Sequence, residues 1–279
     1  LGVKVKLTKK NCEIKGLGLN GFNSKNVILN AGNSGTFGRL ILGLLTHTKF
    51  KTKIIGDKSL SKRDFTRVIK PLKKFGANFK TRSNKLPIVI NGTNFAKPIK
   101  YYEKKGSAQC KSSVMLAALN TKGTTIIKAK KSRNHTELLF KYLGLPIKIS
   151  KTKKYDLIKI SGLKKIKPLN YNIPSDISSS SFFLVLTALS KKSELKIKNM
   201  NINPSRVGIL KIFKLMGIKI NINNSRFYKG EKIADVSIKS VKNIKAINCP
   251  SSLNSSAIDE FLLIFLLAAK ANGISYFKN

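Results

Sequence analysis

The chain has no tryptophan, only two histidines, three cysteines and 12 acidic residues in 279. Cys12, Cys110 and Cys249 lie far apart without a CxxC pair, which excludes a disulfide framework or a zinc cage and fits a reducing cytosol. Two histidines, His47 and His135, are too few for a His-rich metal site. The longest apolar run, Phe261–Ala269, is nine residues and stops at Lys270, against the roughly twenty that a membrane span needs. No charged start followed by an apolar stretch marks a signal peptide. No GxxxxGK[ST] phosphate loop and no GxSxG elbow occurs. Gly16–Gly21 matches GxGxxG, but the following FNSKNVILN lacks a helical apolar period, so that stretch reads as the turn-rich end of a hairpin.

Basic residues are in excess: 55 against 12 acids, a net charge of +43, with only seven arginines. Such a charge suits a nucleic-acid binder. The lysines, however, are spread along the whole chain and no aromatic–basic alternation supplies base stacking. A general drift of composition toward Lys, Asn and Ile is the simpler account, and no nucleic-acid partner is expected. One-signed charge still steers small anions toward the protein. Apolar residues at 42% are normal for a folded protein, and 279 residues suffice for about two domains.

Repeats organise the chain. A glycine closing a helix recurs at Gly2, Gly76, Gly144 and Gly217. Before the last of these, Ile209, Ile212, Phe213 and Met216 fall on one helical face. After each glycine come β-rich runs, such as Ala77–Lys80 and Pro87–Asn91. A second helix type, rich in small residues, opens each unit: Asn33–Leu45, Gly106–Leu119, Asp176–Leu189, and a fourth from about Ser255 to Ala271. A strand follows each of the first three (Thr52–Ile55, Thr124–Lys128, Glu194–Lys198), then a loop carrying Arg63, Arg133 or Arg206. The unit reads βαβαββ, with the small-residue helices packed inside. The chain opens with Leu1 inside such a unit, as a fragment would. A domain boundary is expected near Tyr171–Pro174, after the lysine-rich Lys151–Asn172.

The helix openings carry the chemistry. NSGT at 33–36 and GSAQ at 106–109 present hydroxyls, an amide and backbone N–H groups where a helix dipole favours an anion. At any one helix, plain N-capping is the competing account, and for Asp176 it is the stronger one. Three such starts, each with a downstream arginine able to hold carboxylate or phosphate bidentately, favour an anion site. Among the scarce acids, Asp57, Asp176, Asp259 and Glu260 sit beside helix starts or in loops. His135 reads as a polar loop residue.

These motifs resemble one family, the 5-enolpyruvylshikimate-3-phosphate synthases. Gly32–Leu45 (GNSGTFGRLILGLL) is similar to the family's GNSGTxxRLLxGLL. Gly56–Ala77 is similar to its GDxSLxxRPMxRxxxPLxxMGA block, and GSAQCKSSVMLAAL to GSAQVKSxxLLAxL. SRNHTE at 132–137, PSDISSSSFFLVLTAL at 174–189, NPSRVG at 203–208 and IDEF at 258–261 complete seven collinear matches. The resemblance implies an α/β fold (α+β in some schemes): a two-domain inverse α/β barrel of repeated βαβαββ units, the enolpyruvyl transferase fold. Residues 1–173 would form an upper domain lacking its first repeat, and 174–279 part of a second domain truncated at its C-terminus. It implies transfer of the enolpyruvyl group of phosphoenolpyruvate to the 5-hydroxyl of shikimate 3-phosphate, with release of phosphate, by a cytoplasmic monomer needing neither cofactor nor metal, nor any membrane partner. By position, Arg39, Arg63, Gly35 and Gln109 would bind phosphoenolpyruvate. Ser107, Ala108, Gln109, Ser132, Arg133 and Asp259 would bind shikimate 3-phosphate, with Asp259 the candidate base. The family's N-terminal lysine motif and C-terminal KESDR segment have no counterpart, so the chain alone is expected to be inactive. An inactive basic anion-binding scaffold of the same fold is the alternative. Asp64 replaces a family proline and puts a negative charge beside Arg63.

Overall fold

The computed structural model describes residues 1–19, 21–24 and 27–278. A hairpin of β1 (Lys4–Leu7) and β2 (Cys12–Lys15) opens the chain. The GxGxxG stretch follows it directly, and its Asn20 lies outside the described residues, as do Lys25 and Asn26 of the segment after it.

One complete unit then runs β3 (Val27–Asn30), α1 (Gly35–Leu45), β4 (Lys51–Ile55), the single turn α2 (Lys58–Ser61), α3 (Thr66–Phe75), β5 (Asn78–Thr81) and β6 (Ile88–Asn91). Its sheet has the order β3-β4-β6-β5, with β3 and β4 parallel and the other pairs antiparallel. The next unit repeats it with β7 (Lys100–Glu103), α4 (Ala108–Leu119), β8 (Thr124–Lys130), α5 (His135–Tyr142), β9 (Ile147–Lys151) and β10 (Tyr155–Ser161), in the order β7-β8-β10-β9. The lysine-rich stretch before the expected boundary therefore contributes a strand, β10, whose Ile158 and Ile160 are buried.

A third unit follows with α6 (Ile177–Leu189), β11 (Glu194–Asn201), α7 (Gly208–Leu215), β12 (Ile220–Tyr228) and β13 (Glu231–Lys239), in the order β11-β13-β12. Its first strand is reduced to a parallel bridge between Ser175 and Met200. After β14 (Asn248–Cys249) comes a 3-10 helix, Ser251–Ser256, then α8 (Phe261–Ala269) and β15 (Tyr276–Phe277), which pairs with β14 in parallel. The expected helix from Ser255 to Ala271 is thus broken: the chain turns at 257–260 and puts Asp259 and Glu260 at the mouth of α8.

Local chemistry explains the repetition. Gly76, Gly144 and Gly217 have φ of +112°, +65° and +78°, so each turns its chain from a helix into a hairpin through a left-handed conformation. Gly2, at +82°, precedes the first hairpin in the same way. The amphipathic helices bury one face: Val68, Ile69, Leu72 and Phe75 in α3, and Ile209, Ile212, Phe213 and Met216 beside α7. Helix α4 is buried nearly all round, from Cys110 to Leu119. Helices α6 and α8 depart from the all-buried expectation. Phe182, Phe183 and Leu186, and Leu262, Phe265 and Leu266, stay exposed, since no described element covers those faces.

Contacts divide the chain into two units, one of Leu1–Lys131 with Leu143–Leu169, the other of Ser132–Tyr142 with Asn170–Asn279. Residues 132–142, with the SRNHTE motif, belong to the second, where α5 packs on β13. No helix of the described residues is long and apolar enough to cross a membrane.

Candidate functional site

In the first unit, Ser34 caps α1 by accepting a hydrogen bond from Phe37 N at 3.1 Å. Ser107 caps α4 by accepting one from Cys110 N at 3.3 Å. Capping is therefore what these two hydroxyls do. The side chains just beyond them form the site. Arg39, one turn into α1, donates through Nη1 to Gln109 Oε1 at 2.9 Å and to its own helix at Gly35 O, 3.1 Å away. Gln109 in turn donates to Thr36 Oγ1 at 2.7 Å. The Arg39 guanidinium lies over the ring of Phe65, 5.1 Å from its centroid. Arg63 reaches back to the start of α1, with Nη2 3.5 Å from Asn33 Oδ1.

Gly35 is where the two arginines meet. A Cβ there would stand 2.7 Å from Arg39 Nη1 and 3.2 Å from Arg63 Nη1. The glycine thus makes room for two cationic groups above a helix N-terminus. Burial pulls the Arg39 guanidinium below its ordinary value; nearby Arg63 and Arg67 push the same way, while Cys110 opposes. An anion entering this place would relieve that crowding of like charge.

Beside Arg39 opens a cavity of about 190 Å³, lined by Arg39, Asp64, Phe65, Arg67, Ser107 and Gln109 among others. Arg67 was not singled out from sequence. It is one of only seven arginines and stands four residues after Arg63, at the start of the helix that follows the Arg63 loop, which is the signal that would have found it. Asp64 is committed to the start of α3. Its Oδ1 accepts from Thr66 Oγ1 at 2.5 Å and Thr66 N at 2.8 Å, and these bonds hold its carboxyl below the usual range. Arg63 extends toward Asn33.

In the second unit, the loop before α5 carries Ser132 and Arg133. Arg133 Nη1 donates to Asp259 Oδ2 at 2.8 Å. Arg206 approaches the same oxygen at 3.7 Å and also Asp176 Oδ1 at 3.5 Å. Asp176 is the N-cap of α6, accepting from Ser179 N at 2.7 Å. Its carboxyl lies below the ordinary range: burial would raise it, but the Ser179 bonds and Arg206 outweigh that. Buried Glu260 accepts from Ser178 Oγ, and burial pushes its carboxyl up. Ser132 Oγ is shielded from solvent and has no hydrogen-bond partner among the described residues.

A second polar knot pins the Arg133 loop. His135 Nδ1 meets Glu231 Oε1 at 2.6 Å. Asn203 donates through Nδ2 to Glu231 Oε2 at 3.0 Å and to Asn134 Oδ1 at 2.9 Å. Burial would raise the Glu231 carboxyl, but His135 and Asn203 hold it below the ordinary range. His135, read from sequence as a plain loop residue, is thus a tether.

The repeat has a chemical counterpart. Arg63 meets Asn33, and Arg206 meets Asp176; each arginine reaches the residue 30 positions before it, at the opening of its unit's small-residue helix. Arg133 breaks the pattern and pairs with Asp259, before the fourth such helix. The candidates therefore gather as two sets: Gly35, Arg39, Arg63, Ser107, Ala108 and Gln109 in the first unit, and Ser132, Arg133 and Asp259 in the second.

Comparison with known proteins identifies the fold and the family. The family model for EPSP synthase (3-phosphoshikimate 1-carboxyvinyltransferase) matches residues 1–279. A 3-phosphoshikimate 1-carboxyvinyltransferase of Ruthia magnifica is 41% identical over 274 residues, 98% of this chain and 62% of that protein. One of Hydrogenovibrio crunogenus is 41% identical over 266 residues, 94% of this chain and 60% of that protein. The chain thus spans about three-fifths of the length of the curated relatives it matches. The structure of EPSP synthase from Acinetobacter baumannii superposes with a TM-score of 0.85 at 36% identity, over 98% of this chain and 61% of that one. The enolpyruvyl transferase NikO from Streptomyces tendae, at 13% identity and a TM-score of 0.63 over 84% of this chain and 54% of that one, shares the fold. With that fold and a match along its whole length, the chain belongs to the EPSP synthase (3-phosphoshikimate 1-carboxyvinyltransferase) family.

Proposed function

We propose that this chain carries part of an enzyme that transfers the enolpyruvyl group of phosphoenolpyruvate to the 5-hydroxyl of shikimate 3-phosphate. A new C–O bond forms at the enol carbon of phosphoenolpyruvate, its bond to the phosphate oxygen breaks, and the hydroxyl proton leaves by way of a base. Phosphate is released.

The observation that carries this reading is the meeting of Arg39 and Arg63 over Gly35, with Gln109 holding Arg39. Two guanidinium groups above a helix N-terminus suit a substrate bearing both phosphate and carboxylate. Gly35, Arg39, Arg63 and Gln109 are assigned to phosphoenolpyruvate. Ser107, Ala108, Gln109, Ser132, Arg133 and Asp259 are assigned to shikimate 3-phosphate. Asp259 is the base for the 5-hydroxyl, and Arg133, which now neutralises it, exchanges the carboxylate for the substrate phosphate. Positioning and charge stabilisation by arginine supply the rest of the catalysis. The protein works as a cytoplasmic monomer in aromatic amino acid biosynthesis, with no nucleic-acid or membrane partner.

The test is phosphate release by the 279-residue chain given both substrates, together with calorimetric titration of shikimate 3-phosphate. Retention of shikimate 3-phosphate without turnover is expected. Turnover would show that the residues present suffice for the chemistry. Absence of binding would favour the inactive scaffold.

A further inference from the structure

Glu103 ends strand β7 with 2% of its surface exposed, and a carboxylate so buried needs partners. Among the described residues it has three donors. Arg67 Nη2 meets Oε1 at 2.6 Å, Lys105 N meets the same oxygen at 3.3 Å, and Ser107 N meets Oε2 at 2.8 Å. The two oxygens thus face two elements: α3, through the arginine, and the turn that enters α4. That turn passes through Gly106 at φ +72° and delivers Ser107, Ala108 and Gln109. Gln109 then holds Arg39. Arg67 and Ser107 line the same small cavity as Arg39 and Gln109. Burial would lower the Arg67 guanidinium, but Glu103, together with Cys110 and Tyr101, outweighs it and leaves the group raised. Its charge is therefore spent on Glu103, whereas that of Arg39 is destabilised by burial and neighbouring arginines.

We infer that Arg67 and Glu103 are a positioning pair: Arg67 orients Glu103, Glu103 holds the Ser107 amide, and together they set the Ser107–Gln109 turn for shikimate 3-phosphate. The inference rests on the proposed function only for the identity of that ligand; the setting of the turn stands apart from it.

The experiment uses the full 279-residue chain as Arg67→Met, Glu103→Gln and the double variant, with Arg67→Lys as a charge-retaining second probe should Arg67→Met fail to fold. An amide at position 103 has lost the charge that both contacts use and has one acceptor oxygen in place of two, so both the Arg67 and the Ser107 N–H contacts weaken. Hydrogen exchange at Ser107 is expected to quicken about tenfold or more in each single variant. The double variant should be little worse than either, because the residues act as one unit. Exchange in the centre of α3 should not move. Unchanged Ser107 exchange, or strictly additive effects, overturns the inference.

Calorimetry with shikimate 3-phosphate supplies the second readout. Glu103→Gln frees a cation beside an anion site, so an Arg67 that bound substrate directly would make affinity rise. The positioning role requires it to fall, by about tenfold. A rise overturns the inference. If the unaltered chain binds no shikimate 3-phosphate while Ser107 exchange responds as stated, the substrate assignment fails and the pair's hold on the turn remains.

Discussion

Gly43→Ala puts the packing that underlies the site to a quantitative test. Helices α1 and α4 lie so close at this point that a Cβ on residue 43 would be 2.2 Å from the carbonyl oxygen of Ser113 and 3.0 Å from its Oγ. Ordinary contact begins at 3.4 Å, so the helices must part locally by about 1.2 Å. The atom in the way is backbone, which cannot swing aside. Overpacking of this kind costs about 1–3 kcal/mol, here at the upper end. Replacing a helix-interior glycine by alanine returns about 1 kcal/mol. The net loss is about 2 kcal/mol. With a urea dependence of about 2 kcal/mol per molar, the unfolding midpoint of the first unit falls by about 1 M. The displacement also strains the 2.8 Å bond from Ser113 Oγ to the Arg39 carbonyl, and so reaches the Arg39–Gln109 pair. Urea unfolding followed by circular dichroism measures the shift. A midpoint that stays put or rises, as helix propensity alone demands, refutes the close-seam reasoning.

Three further outcomes are expected. Gly35→Ala crowds only the side-chain ends of Arg39 and Arg63, its contact with Leu60 at 3.7 Å being ordinary, so its urea midpoint stays near that of the unaltered chain, while calorimetric affinity for phosphoenolpyruvate drops about tenfold or more through loss of charged hydrogen bonds; unchanged affinity refutes it. Glu231, held below the ordinary 4.5, adds stability above that pH and loses it as pH falls through its folded value, so Glu231→Gln should flatten the acid limb of stability measured from about pH 6 to about pH 3. Glu260 has the opposite sign: its raised carboxyl favours the folded state on the acid side and loses that contribution as pH rises through its folded value, so Glu260→Gln, which can still accept from Ser178, should be at least as stable as the unaltered chain near neutrality by the same denaturation assay.

Much of the architecture is local and therefore readable from the chain. Glycines at helix ends take φ values that side chains disfavour, and their recurrence at 76, 144 and 217 marks where each helix turns into a hairpin. The i, i+3, i+4, i+7 face of Ile209, Ile212, Phe213 and Met216 is buried because helical geometry alone puts those side chains together. Capping by Ser34, Ser107 and Asp176 is equally local. The recurring arginine loops are legible too, and two of them return the chain to the opening of their own repeat, at Asn33–Arg63 and Asp176–Arg206.

What only the tertiary structure decided is which distant groups neutralise each other. Arg133 and Asp259 are 126 residues apart, His135 and Glu231 are 96, and Arg67 and Glu103 are 36. No periodicity links them, because each pair joins different elements and depends on how sheets and helices stack. In a chain with 55 basic residues and 12 acidic ones, an acid has many possible partners by composition; burial and distance select one. The sequence by itself determined the repeat, its helix ends and its arginine loops. Packing decided that Arg39 and Arg63 face a shared place over Gly35, while Arg67 is turned to Glu103, because the free energy of a charge depends on what surrounds it rather than on where it lies along the chain.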